Sequence, residues 1–284
     1  MKIVYLNLSA EFEPFMSHMK AQQETWAYGI PSKTLWIFGS TRSEPFLDQL
    51  NQRLYLPVEE KFENILEKSV EGIKWVLLNT DFDFIVRGNT SNYYDDIVLR
   101  EFLKQYNNIE FFAGSELGFA NQNNNTSLNT GLYLSGTGIV LSRASAMSML
   151  DIDLNYYHDW PDDVAISHHL STKKIAFTRI PRSDITDFKP LSFTTQYRVK
   201  SWTDYGHTTQ RMHEIHAILR KSFLTSFVLF LRFNVIEYLR YARYFPFHKG
   251  ANSLRHVRQF LWIGQSILKF VYLKQRRQKL TLPS

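Results

Sequence analysis

Glu59-Glu60-Lys61-Phe62-Glu63-Asn64-Ile65-Leu66-Glu67-Lys68-Ser69-Val70-Glu71-Gly72-Ile73-Lys74-Trp75-Val76-Leu77-Leu78-Asn79-Thr80-Asp81-Phe82-Asp83-Phe84-Ile85-Val86 is the stretch on which the fold turns. In its first half Phe62, Ile65, Leu66 and Val70 recur at spacings of three and four, which places them on one face of a helix over Glu59–Gly72. The apolar run from Ile73 to Leu78 then predicts a buried strand, followed by the polar turn Asn79–Asp83 and a second short run, Phe84-Ile85-Val86. Outward from this unit the same alternation continues. Ile3-Val4-Tyr5-Leu6 and Leu35-Trp36-Ile37-Phe38 read as earlier strands, and short apolar runs alternate with helical spacing as far as Pro190. The expected class is α/β, with a mixed, mostly parallel sheet. Ligands of such sheets bind at the carboxyl ends of the strands. The polar run Arg87–Asn92 interrupts the pattern, and the Asn-rich segment Asn121–Asn129 reads as a surface loop able to act as a lid.

The chain has 284 residues, 44% of them hydrophobic, enough for one large domain with an appendage. It contains no cysteine, which excludes disulfides and thiolate metal sites and fits a reducing, cytoplasmic compartment. Neither a secretory leader nor a run of apolar residues long enough to span a bilayer is expected. The net charge of +6 is unevenly distributed: residues 211–284 carry 14 Lys/Arg against Glu214 and Glu237, leaving 19 basic and 25 acidic residues before them. The body is therefore acidic and the tail strongly basic. Such a tail seeks an anionic surface, either lipid or nucleic acid.

Several short blocks bear chemistry. Asp81 and Asp83 flank Phe82 in a D-x-D triplet; Ser135-Gly136-Thr137-Gly138 precedes a β-branched run; Asp162 and Asp163 follow Trp160-Pro161 at the mouth of a helix. Alone, each has a plain structural reading: a polar turn, a glycine turn into a strand, and a helix cap. Arg198 and Lys200 offer cations for phosphate oxygens, or simple surface charge. The histidines His158, His168 and His169 cluster in sequence around the Asp pair, but neighbours on a helix face different ways and chelate one ion poorly. No nucleophile elbow and no phosphate-binding P-loop is present.

The order of these blocks resembles the inverting GT-A glycosyltransferases of the β-1,3-galactosyltransferase and Fringe group. Gln22-Gln23-Glu24-Thr25-Trp26 is similar to the R-E-T-W block. Thr80-Asp81-Phe82-Asp83-Phe84-Ile85-Val86 is similar to T-D-D-D-V-F-V with its middle carboxylate replaced, Tyr133–Ser142 to Y-x-S-G-x-G-Y-V-L-S, and Pro161-Asp162-Asp163-Val164 to P-E/D-D-V. The resemblance covers roughly residues 1–200 and implies a Rossmann-like nucleotide-sugar domain over 1–209. It implies transfer of a sugar, from a UDP-sugar or related donor, to a glycan or lipid-linked saccharide in surface polysaccharide or lipopolysaccharide synthesis. By the same resemblance Asp163 is the general base and Asp162 its support; Asp83 and Asp81 hold manganese or magnesium, with His207 as a late ligand. Asp81, Asp83, Arg198 and Lys200 then bind the donor, and Gly136, Thr137, Gly138 and Trp160 the sugar substrates. A non-catalytic glycan- or nucleotide-sugar-binding protein and a basic nucleic-acid-associated protein are the rival readings, the latter at odds with the acidic body.

Residues 210–284 read as two helical segments, Gln210–Tyr244 and Ser253–Gln278, parted by Pro246-Phe247-His248-Lys249-Gly250. Phe223, Phe227, Phe230, Leu231, Phe233 and Ile236 supply an apolar surface, and Arg220, Lys221, Arg232, Arg240 and Arg243 supply charge. That mixture predicts a helix lying in a membrane interface at the inner face of the cell membrane, in preference to helices packed on the catalytic domain with a basic face outward or to nucleic-acid binding.

Overall fold

A computed structural model describes residues 1–106, 109–119, 132–185, 194–199, 205–220, 223–244, 267–268 and 270–272. The expected loop Asn121–Asn129, Lys200 and most of the segment Ser253–Gln278 lie outside them. In chain order the elements are β1 (Ile3–Leu8), α1 (Phe15–Glu24), β2 (Lys33–Gly39), β3 (Phe46–Asp48), β4 (Arg53–Leu56), α2 (Ile65–Asn79) and β5 (Phe84–Asn89). Next come β6 (Asn92–Tyr94), α3 (Asp96–Leu103), β7 (Phe111–Gly114), β8 (Glu116–Phe119), β9 (Leu132–Leu134), β10 (Gly138–Ser142) and α4 (Arg143–Ser148). The chain continues through α5 (Asp162–Thr172), β11 (Ala176–Arg179), β12 (Arg182–Ile185), β13 (Gln196–Val199), α6 (Tyr205–Arg220) and α7 (Phe223–Tyr244).

The principal sheet has the order β11-β7-β10-β5-β1-β2-β4-β3. The pairs β5-β1, β1-β2, β2-β4 and β7-β11 are parallel, whereas β10 runs antiparallel to both β5 and β7, and β3 antiparallel to β4. This is the mixed, mostly parallel α/β arrangement expected. From β1 the chain moves to β2 and then to β4 on one side. α2 carries it back to β5 on the other side of β1, as a right-handed crossover would.

The crossover helix differs from the sequence expectation. α2 starts at Ile65 and continues to Asn79, absorbing the run Ile73–Leu78 that reads as a strand. The reason lies in the spacing: Leu66, Val70, Ile73 and Val76 are buried on one continuous helical face, while Leu78 is 77% exposed. Those four side chains pack on Val4, Leu6, Ile37, Leu54 and Ile85 of the sheet, each burial contributing about 1.5–3 kcal/mol. Gly72 permits the close approach, since a Cβ there would lie 3.1 Å from Leu6 Cδ2 and 3.3 Å from Ile37 Cδ1. Helices α4 and α5 complete this side of the core through Ala146, Ala165, Ile166 and Leu170.

The chain divides into two compact units. The first comprises Met1–Lys20, Gly29–Asn92 and Arg100–Pro181; the second, Ala21–Tyr28, Tyr93–Leu99 and Arg182–Ser284. The boundary expected at 209/210 falls within α6. Inside the second unit, Trp26 packs edge-on against Tyr94 with ring centroids 5.0 Å apart, and Tyr93 against Tyr197 at 5.8 Å. Trp26, the end of the block that resembles R-E-T-W, is thus a core residue.

Candidate active site

Strand order places the site before any side chain is considered. The chain leaves β1 in one direction and returns to β5 in the other, so the crevice outside the carboxyl ends of β1 and β5 is the topological switch point where open α/β sheets bind ligands. The residues on that edge are Ser9 after β1, Gly39 at the end of β2, and Arg87-Gly88-Asn89 closing β5. Antiparallel β10 begins there, with Gly138 opposite Gly88.

The centre of the edge is Arg87, a fully buried guanidinium. It pairs with the Asp162 carboxylate, donates to the Gly136 carbonyl at 2.5 Å and reaches Ser69 Oγ at 3.3 Å. Gly136 in turn donates its N–H to Asp163 Oδ2 at 2.9 Å, while Asp163 Oδ1 accepts from Val164 N–H at 3.0 Å. The turn holding Gly136 is fixed by a hydrogen bond between the Ser135 and Thr137 hydroxyls at 2.8 Å and by Asn92, whose amide donates to the Thr137 carbonyl. Glycine at 136 permits this close meeting, since a Cβ there would lie 3.0 Å from Arg87 Nη1 and 3.2 Å from Asp163 Cβ. Ser167 donates to the Asp163 carbonyl at 2.7 Å and accepts from Leu134 N–H at 2.9 Å, tying the first turn of α5 to β9.

A second buried ladder stands beside it. Lys68, the neighbour of Ser69 on α2, donates to the Ser9 carbonyl at 2.9 Å and pairs with Glu60, whose other oxygen accepts from Gly39 N–H at 2.6 Å. One turn of α2 therefore organises the ends of β1, β2 and β5 together. Burial holds the Lys68 ammonium below its ordinary pKa, partly opposed by Glu60. On β1, both amide atoms of Asn7 and the Ser9 hydroxyl are buried without a hydrogen-bond partner among the described residues. Buried polar atoms in that condition are costly to keep unless something else engages them.

Asp163 is the titratable group that this environment alters. Burial raises its pKa above the ordinary carboxylate value, adjacent Asp162 raises it further, and the Gly136 N–H and Arg87 only partly offset the rise. A carboxylate so placed is a stronger base than one in water, and it is held by N–H groups on one side. Asp162 cannot play the same part, since it is committed to Arg87. The two adjacent carboxylates thus differ in surroundings: Asp162 pairs with Arg87, and Asp163 accepts from the Gly136 and Val164 N–H groups.

The other sequence-assigned residues fall elsewhere. Asp81 and Asp83 precede β5, at the amino edge of the sheet, and β5 from Phe84 to Gly88 alone separates that edge from the crevice by about 13 Å at 3.3 Å per residue. Asp83 N–H donates to the Lys2 carbonyl at 2.9 Å, Lys2 N–H returns a bond to Asp83 Oδ2 at 2.6 Å, and Asp81 pairs with the Lys2 ammonium, which lowers its pKa. The intervening Phe82 is buried in the core. This D-x-D triplet is a strand-entry turn with its middle residue as an apolar anchor, so the expectation that it shares a site with Asp163 is corrected. The cause is the extended α2, which moves the strand from before the triplet to after it.

His207 on α6 and Arg198 on β13, opposite Asp184, belong to the second unit. Gly138 and Thr137 lie in the crevice turn. Trp160 packs edge-on against Tyr157 at 5.1 Å, two residues before Asp162. His168 meets the Tyr157 hydroxyl at 2.7 Å, His169 lies 2.8 Å from the Ser148 carbonyl, and His158 pairs with Asp159 at the surface. Among the described residues, the crevice offers no cluster of carboxylates or histidines that would by itself hold a divalent metal. Among the described residues no three His, Asp or Glu side chains converge as ligands, and β5 ends there in the neutral Asn89-Thr90-Ser91. Arg87, Lys68, Glu60 and Ser69 were missed in the sequence as site residues. The signal for Arg87 was the break at Arg87–Asn92, where charge and amides end an apolar strand; Glu60 and Lys68 lie in the segment Glu60–Lys68, which resembles the helix before the nucleotide-sugar strand in the β-1,3-galactosyltransferase and Fringe group.

A Rossmann-like sheet with a buried arginine–aspartate cluster at its switch point is the class so defined. No protein-family model matches the chain, and no curated protein matches it in sequence. Among solved structures it is similar to a glycosyltransferase involved in the glycosylation of the major capsid of PBCV-1, at 7% identity and a TM-score of 0.45, over 74% of this chain and 98% of that one.

Proposed function

We propose that the chain is a nucleotide-sugar-dependent glycosyltransferase of the GT-A type, with Asp163 as its general base and the crevice between β1 and β5 as its donor site. The observation that carries the reading is Asp163 itself: a mostly buried carboxylate of raised pKa, fixed by Gly136 N–H at the switch point. In the reaction, the acceptor hydroxyl loses its proton to Asp163 as its oxygen bonds the anomeric carbon, and the bond from that carbon to the diphosphate breaks with the electron pair leaving on the nucleotide. A base placed to take the acceptor proton suits such a one-step displacement, which inverts the anomeric centre. Asn7 and Ser9, with unengaged polar atoms at the end of β1, are the candidates to hydrogen-bond the donor. The acceptor is a glycan or lipid-linked saccharide, read from the resemblance of the motif series.

The test is nucleotide release across UDP-, GDP- and CMP-sugars with a panel of saccharide acceptors, for the wild type and for Asp163→Asn. Acceptor-dependent release from one donor that is lost in the variant supports the reading. If all donors are silent while one binds, the crevice is a nucleotide-sugar-binding site without transfer, and the reading fails.

A further inference from the structure

The helix α7 is sided in a way that its sequence does not reveal. Ser226, Phe230, Phe233 and Asn234 are buried, Phe230 stacking on Phe270 with centroids 4.9 Å apart and Asn234 donating to the Phe230 carbonyl at 2.8 Å. The aromatic residues Phe230 and Phe233, which the sequence offers as a membrane surface, are therefore interior, and that expectation is corrected. Outward-facing instead are Leu224, Val228, Val235 and Leu239, exposed to 72%, 56%, 50% and 60%. Their spacings of four, seven and four put them on one stripe, with half-buried Leu231 between them. The helix has 22 residues and is about 33 Å long, so the stripe is an extended aliphatic edge and not a scattered set of surface residues.

Charge decides what such an edge meets. Arg232 is exposed beside the stripe, four residues from Val228 and three from Val235, and residues 211–284 hold 14 basic side chains against two acidic ones. A second copy of this segment would bring like charge onto like charge, and so would any basic partner. No helix among the described residues is long and apolar enough to cross a membrane. We propose that α7 lies flat in the surface of an anionic membrane, with Leu224, Val228, Val235 and Leu239 inserted among the acyl chains and Arg232 at the level of the headgroups. The proposal does not depend on glycosyl transfer.

Flotation of the full chain with phosphatidylcholine vesicles, with and without phosphatidylglycerol, tests it, comparing the wild type with Val228→Asn/Val235→Asn and Arg232→Glu. The wild type should float only with anionic vesicles. The double variant should lose about tenfold in partitioning, with unchanged circular dichroism and melting, because both positions face out. Arg232→Glu should weaken binding and reduce its dependence on salt. Equal partitioning of wild type and double variant, or a wild type indifferent to anionic lipid, overturns the proposal. A wild-type dimer in solution that the double variant splits also overturns it, assigning the stripe to self-association.

Discussion

At the residue scale, the account rests on two pairs of aspartates that look alike in sequence and differ in surroundings. Asp163 is buried beside Asp162 and takes an N–H from Gly136, so its proton is held more tightly in the folded chain than in the unfolded one. Ionising it therefore costs folding free energy, and stability falls as pH rises from the unfolded carboxylate value through the raised folded one. Asp163→Asn should abolish transfer, by about 10²–10⁴-fold, while melting at neutral pH no lower than the wild type; differential scanning calorimetry beside a nucleotide-release assay reads both. The same raised pKa predicts a rate that climbs with pH as the base deprotonates. Asp162→Asn should move that limb to lower pH, because it removes the neighbouring charge and frees Arg87 to favour the ionised form. A pH–rate profile checks the direction of the shift.

At the scale of elements, α2 accounts both for what the sequence made legible and for what it concealed. The run Ile73–Leu78 is apolar enough for a strand, and short apolar runs do not distinguish a strand from a buried helical turn. Only the persistence of the Leu66-Val70-Ile73-Val76 face beyond Gly72 reveals the helix, and Gly72 looks like a terminator when it is in fact a contact point against Leu6 and Ile37. The α/β class survives that error because the alternation of element types is unchanged. The site does not, since moving the strand from Ile73–Leu78 to Phe84–Asn89, eleven residues on, exchanges the carboxyl edge for the amino edge at the Asp81–Asp83 turn. Asp162, Asp163 and the glycine turn were legible as local motifs; Arg87 and Lys68 were not, because a buried cation looks like a surface one until its partners are known. Gly136→Ala tests the tight meeting of β10's entry turn with α5. The added methyl would lie 3.0 Å from Arg87 Nη1 and 3.2 Å from Asp163 Cβ, so those side chains must shift, and a loss of about 1–3 kcal/mol in chemical denaturation is expected, together with a loss of transfer activity.

At the scale of the whole molecule, the chain combines a catalytic-type unit with a cationic one, and the charge count separates their tasks. The Rossmann-like sheet of the first unit carries the crevice with Asp163, the proposed base; the second contains α7 and its exposed aliphatic stripe. The measurement that bears most directly on the central claim is acceptor-dependent nucleotide release by Asp163→Asn and Asp83→Asn side by side, on the donor that the wild type turns over. The account predicts loss of turnover in the first and near-wild-type turnover in the second, because Asp83 closes a strand-entry turn with Lys2 at the far edge of the sheet. An inactive Asp83→Asn that folds normally, or an active Asp163→Asn, would contradict it.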